Sequence, residues 1–210
     1  MNKTLVILLS ILGVIVLGIL AIGLAVAGSY NGLVASSTQV DKSWAQVQNV
    51  YQRRADLIPN LVQTVQGAAN FEKSTLVQVT DARASVGRMQ INQSQAPTDA
   101  AQLQQFQQAQ GQLGAALSRL LVVSENYPEL KSNANFLDLQ AQLEGTENRI
   151  TVERGRFNEA VQTYDAKIRT FPTVLFASIF GFQQKPYFQA TAGAETAPSV
   201  KFDFGTPAAK

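Results

Sequence analysis

The chain reads as an all-α membrane protein: an N-terminal transmembrane helix, an antiparallel four-helix bundle of long helices, and a short extended C-terminal segment. Three observations predict this. Residues 5–27 hold 19 apolar side chains in 23 positions. Three later stretches repeat apolar residues at alternating three- and four-residue steps, the spacing of a left-handed helical seam. Beyond them, strand-like alternation is confined to residues 200–204.

The organisation follows in order: an anchor over 1–29, a helical domain over 30–171, an apolar segment over 172–188, and a tail over 189–210. For the anchor, 23 residues at about 1.5 Å each reach roughly 34 Å, enough for a hydrocarbon core of about 30 Å. Ala25, Val26 and Ala27 have the small-x-small form of a signal peptidase site. The apolar run nevertheless exceeds the roughly 7–15 residues of a signal peptide core, which favours an uncleaved anchor. Lys3 precedes the run and the first basic residue after it is Lys42. The positive-inside rule then favours a cytoplasmic N-terminus, with residues 28–210 on the outer face of the membrane.

The first bundle helix carries Val40, Trp44, Val47, Tyr51, Ile58, Leu61 and Val65 on one seam, with Arg54 in the one polar slot. Pro59 lies inside this stripe, where a kink or helix restart is expected. A shorter helix over 71–89 presents Leu76, Val79, Val86 and Met89. A third stripe runs through Leu103, Phe106, Leu113, Leu117, Leu120 and Tyr127. Thr98 or Asp99 can cap its start, and Pro128 biases Tyr127 out of helix. The last stripe joins Phe136, Leu139, Leu143, Ile150, Phe157, Val161, Tyr164, Ile168 and Phe171, with caps available from 132 to 135.

Composition narrows the chemistry. The chain is 46% hydrophobic and 15% charged, and it contains no Cys and no His. A His-based triad, a Cys nucleophile, a disulfide and a zinc site of the usual ligands are therefore ruled out. A formal charge of +2 gives no nucleic-acid footprint. Glu144, Glu147 and Glu153 share one helix, but ferritin-like metal bundles add Glu-x-x-His, so no metal or other cofactor is expected. Ten of the 23 glutamines fall between Gln90 and Gln112. They make an uncharged polar face on which copies could pack laterally.

Two clusters remain as candidate sites. Arg54 in a core-facing slot demands a carboxylate, since an unpaired buried guanidinium costs several kcal/mol. Asp56, Glu125, Glu147 and Glu153 are the candidates for that structural charge pair. In the tail, Val200, Phe202 and Phe204 fall on one face of an extended segment, with Lys201 and Asp203 on the other. They are the interaction candidates, by strand addition to a neighbour.

Several motifs also match a family. Tyr30-Asn31-Gly32-Leu33-Val34 follows the anchor. Gln52-Arg53-Arg54-Ala55-Asp56-Leu57-Ile58-Pro59-Asn60-Leu61-Val62 lies in the first helix. Glu125-Asn126-Tyr127-Pro128 closes the third, Arg154-Gly155-Arg156-Phe157-Asn158 lies in the fourth with Val161 and Tyr164, and Phe180-Gly181-Phe182 follows. In type, order and spacing these resemble the LemA family of bacterial membrane proteins, from the anchor to about Phe188. Phe157 and Asp165 depart from a pattern that often reads Tyr-Asn at both places. The resemblance implies a single membrane helix and an antiparallel bundle, with no established enzymatic activity.

The functional expectation is a membrane-anchored, non-enzymatic structural or interaction protein. Its partners are the lipid bilayer, further copies of itself, and a candidate envelope protein. The alternative is a regulatory accessory to a membrane enzyme or protease in envelope stress.

Overall fold

The computed structural model describes residues 3–67, 71–89 and 95–190, whose regular elements are all helical, with no strand among them. Helix α1 spans Lys3–Gln66, α2 Lys73–Gly87, α3 Ala100–Ser124, α4 Pro128–Lys131 and α5 Ala134–Arg169, followed by a short 3-10 turn at Thr173–Leu175.

Helix α1 has 64 residues without a break, about 96 Å of helix at 1.5 Å per residue. Its first third is apolar all round and buries nothing: from Leu5 to Leu24 the large side chains are exposed. It contains a stretch long and apolar enough to cross a membrane. From Leu33 onward the same helix turns one stripe inward, and Leu33, Val40, Trp44, Val47, Ile58, Leu61 and Val65 are almost fully buried. One helix thus changes from apolar-all-round to amphipathic within about two turns.

Of the kink or restart expected at Pro59, the restart does not occur: the helix continues through it. A proline here cannot donate to the carbonyl four residues earlier, which belongs to Ala55. Arg83 of α2 supplies the missing donor, its Nε lying 3.0 Å from the Ala55 oxygen. Pro59 itself is exposed, so its ring meets no neighbouring helix.

Local signals set the other boundaries. The Asp99 side chain accepts from the Ala101 N–H and caps α3. Asn133 accepts from the N–H groups of Asn135 and Phe136 and caps α5. Each satisfies donors that a helix start leaves open. The stripe expected to reach Phe171 stops short. Helix α5 ends at Arg169, Thr170 is extended, and Phe171 is 80% exposed. Pro172 is the reason, since it pushes the residue before it out of the helical region.

Helix directions can be read from side-chain pairs. Lys167 reaches Ser36, Phe157 meets Trp44 and Glu147 meets Arg54, so α5 runs antiparallel to α1. Phe106 lies on Trp44 and Tyr51 while Gln110 meets Arg54, so α3 rises with α1. Phe71 against Tyr127, with Glu72 near Arg119, sets α2 against α3. Two cores result. One gathers Leu33, Val40, Trp44, Phe106, Phe157 and Tyr164 near the anchor; the other gathers Ile58, Leu61, Leu113, Leu120, Leu130 and Leu143.

Candidate functional site

Between the two cores lies a polar layer centred on Arg54, which is 3% exposed. Its NH1 donates to Glu147 Oε2 at 2.9 Å. Its NH2 donates to the Gln110 backbone oxygen at 3.1 Å and also to the Gln110 side-chain oxygen. The guanidinium stands 5.1 Å from the centre of the Tyr51 ring. Its Nε is buried with no hydrogen-bond partner among the described residues.

Of the four carboxylates that were candidates for Arg54, Glu147 meets it and the other three do not. Asp56 is exposed and accepts from Gln52 Nε2. Two residues beyond Arg54, it is rotated about 200° around the helix and faces away from the seam. Glu125 is the exposed C-cap of α3, one full helix end away from Gln110. Glu153 is engaged by Arg156 at 2.7 Å on its own helix. Val200, Phe202 and Phe204 lie outside the described residues.

The Arg54 layer opens sideways into a groove of about 990 Å³ between α3 and α5. Gln104, Gln107 and Gly111 line one wall, Glu144, Glu147 and Arg154 the other. Burial raises the Tyr51 hydroxyl above its ordinary value, although Arg154 and Arg54 pull it back. Tyr51 therefore stays protonated at neutral pH, which suits hydrogen bonding rather than proton abstraction. The groove combines two guanidinium groups, two carboxylates and a row of amides. That donor and acceptor set suits a polar, extended ligand such as a peptide backbone.

At one end of the groove the segment 182–190 crosses the bundle as a strap. Asn158 clamps the backbone of Phe188 from both sides, donating to its oxygen at 3.0 Å and accepting from its N–H at 2.9 Å. One heptad further, Asp165 accepts the Lys185 N–H at 3.2 Å. Lys185 Nζ reaches Asp41 Oδ1 at 2.9 Å, and the same oxygen accepts the Ala96 N–H. The Phe188 ring fills the core against Trp44 and Phe157, with Arg154 over its other face. Arg154 and Gln107 both donate to the Gln189 oxygen.

Burial raises the Asp165 carboxyl above the ordinary carboxylate range, partly offset by the Lys185 N–H, the Tyr187 hydroxyl and Arg169. Sequence reasoning missed the strap and its clamps. The signal was the pair Phe157-Asn158 and Tyr164-Asp165, an aromatic and a short polar acceptor repeated seven residues apart.

Comparison with known proteins supplies a lineage. The LemA family model matches residues 43–202. Magnetosome protein MamQ 2 of Paramagnetospirillum magneticum is 28% identical over 80% of this chain and 67% of its own length. Magnetosome protein MamQ of Magnetospirillum gryphiswaldense is 24% identical over 88% of this chain and 74% of its own. Protein LemA of Metamycoplasma hominis is 22% identical over 78% and 70% respectively.

Proposed function

The chain belongs to the LemA family, and from that premise we propose that it is a membrane-anchored, non-enzymatic structural or interaction protein. In this reading α1 spans a bacterial inner membrane, and α1, α2, α3 and α5 stand on the periplasmic or extracellular side as one up-down-up-down bundle. The observation that carries the reading is the unbroken helix Lys3–Gln66. It joins an exposed apolar stretch to the bundle core with no linker, so in every copy the bundle continues the line of the spanning segment.

Confinement to one surface raises the effective concentration of copies, so weak side contacts suffice for assembly. The glutamine-rich α3 supplies such a contact face, because it carries hydrogen-bonding capacity without like-charge repulsion. The groove beside Arg54 offers a second surface, suited to an extended segment of a neighbouring copy or of an envelope protein.

Graded crosslinking in native membranes followed by sizing of the extracted particle tests the proposal. A ladder of copies, or a constant heteromeric band, is expected. A protomer-sized particle unchanged by crosslinker dose contradicts it.

A further inference from the structure

The turn segment after α5 places its large apolar side chains on the outside. Thr173 and Ala177 are buried, whereas Phe171, Leu175 and Ile179 are 80%, 65% and 78% exposed. These three are spaced four apart, so a helical run of turns puts them on one face, opposite Thr173 and Ala177. Hydrogen bonds from Ala177 to Thr173 and from Phe180 to Phe176 maintain those turns. Gly181, at φ +79°, ends them. Its N–H returns to Ser178 and that of Phe182 to Ala177, the paired closure of a Schellman motif. The outward apolar face is therefore built by local geometry and not left over from poor packing.

Its height on the molecule identifies what covers it. The Tyr30 ring touches Phe180 and Phe182, with centroids 5.3 and 5.7 Å apart. Tyr30 follows the apolar run by three residues, about 4.5 Å of helix rise. A headgroup layer is roughly 5–8 Å deep, the difference between a bilayer of about 40–45 Å and its hydrocarbon core of about 30 Å, divided over two sides. Tyr30 and the turns beside it thus fall inside that layer. Lys167, whose Nζ contacts Ser36 Oγ about 9 Å of helix beyond Tyr30, and the exposed Arg169 stand farther from the apolar run. Aromatic and aliphatic groups at the headgroup depth, with basic groups on the aqueous side of them, are the composition of a surface seated in the membrane interface.

We infer that Phe171, Leu175 and Ile179 form a second membrane contact, buried in the headgroup layer of the bilayer that α1 crosses. The inference rests on the reading of α1 as a spanning helix. Two contacts on different elements, α1 and the turns after α5, fix the bundle against tilting about its anchor, which a single helix cannot do.

The absence of cysteine in the chain makes a direct test available. Leu17→Cys, Ile179→Cys and Gln105→Cys are introduced singly into the full chain and spin-labelled. Each is reconstituted in vesicles of phosphatidylcholine and phosphatidylglycerol, and collision with oxygen is compared with collision with a water-soluble nickel chelate. The expected oxygen-to-nickel ratio at 179 is severalfold above that at 105 and below that at 17. A water-like ratio at 179 with a lipid-like ratio at 17 overturns the inference and leaves the spanning helix standing. Water-like ratios at both sites overturn the spanning helix and the inference with it. Spin–spin broadening at 179 that vanishes on dilution with unlabelled chain assigns the surface to a second copy, which also overturns it. Leu175→Cys repeats the measurement should Ile179→Cys lose helicity.

Discussion

The two halves of the bundle are built differently. Near the anchor the core is aromatic: Trp44 contacts Phe106, Phe157 and Phe188, and Tyr51 stands edge-on to Phe106. Side-chain clamps on the strap backbone lock it. Beyond the Arg54 layer the core is mostly leucine, isoleucine and valine, and its polar contacts, such as the Arg83 cap on Ala55 and Arg119 near Glu72, lie at the rim. Aromatic rings meet in few geometries, whereas leucines repack. The half nearest the membrane is therefore the specified half, and the far half is the adaptable one.

Substitutions that break this contrast rank by expected effect. Trp44→Ala empties the centre of the aromatic half and costs about 3–5 kcal/mol, the range for deleting a buried aromatic. Leu113→Met, at an equally buried site in the far half, costs less than about 1.5 kcal/mol as a volume-conserving change. Thermal denaturation reads both costs, and a loss for Leu113→Met as large as that for Trp44→Ala would contradict an adaptable far half.

Arg54→Met comes next. Glu147 is 59% exposed on its side chain, so its loss of a partner is screened by water and contributes little. The Gln110 side chain is buried, and leaving its oxygen without the Arg54 donor costs about 1–3 kcal/mol. Glu147→Gln should accordingly cost far less than Arg54→Met, and a comparable loss would show the ion pair itself to dominate.

Asn158→Ala removes two hydrogen bonds to Phe188 and costs about 1–3 kcal/mol. Amide exchange should rise over 185–190 and stay unchanged in α3 and α5. Exchange that rises throughout would mean the strap is integral to the whole bundle.

Asp165→Asn is the smallest effect and has the opposite sign. A carboxyl whose pKa is raised by burial contributes stability that is complete below its unfolded value and is lost as pH rises through the folded value. The variant keeps the acceptor for the Lys185 N–H without the buried charge. It should melt higher than the parent at pH 7 and equally at acid pH. A lower melting temperature at pH 7 would show the ionised carboxylate to be favourable.

Much of the helical part was legible because burial in a helix repeats. Every seam residue from Val40 to Val65 named by spacing is buried. Arg54 was legible as the one charge in that row, and spacing narrowed its partner to a few carboxylates that geometry then separated. The strap was not legible. Its contacts join side chains to backbone across 20 to 82 residues, which leaves no period to read. Pro59 read as a kink or restart because propensity is local, and the residue that caps the freed carbonyl, Arg83, sits on another helix.

The central claim is that anchor and bundle share one rigid helix. Spin labels at Leu24→Cys and Gln52→Cys in the full chain, reconstituted in lipid nanodiscs, measure it by pulsed dipolar spectroscopy. An unbroken helix predicts one narrow distance near about 42 Å, from 28 residues at 1.5 Å each. A broad or shorter distribution would place a hinge between membrane and bundle and contradict the account.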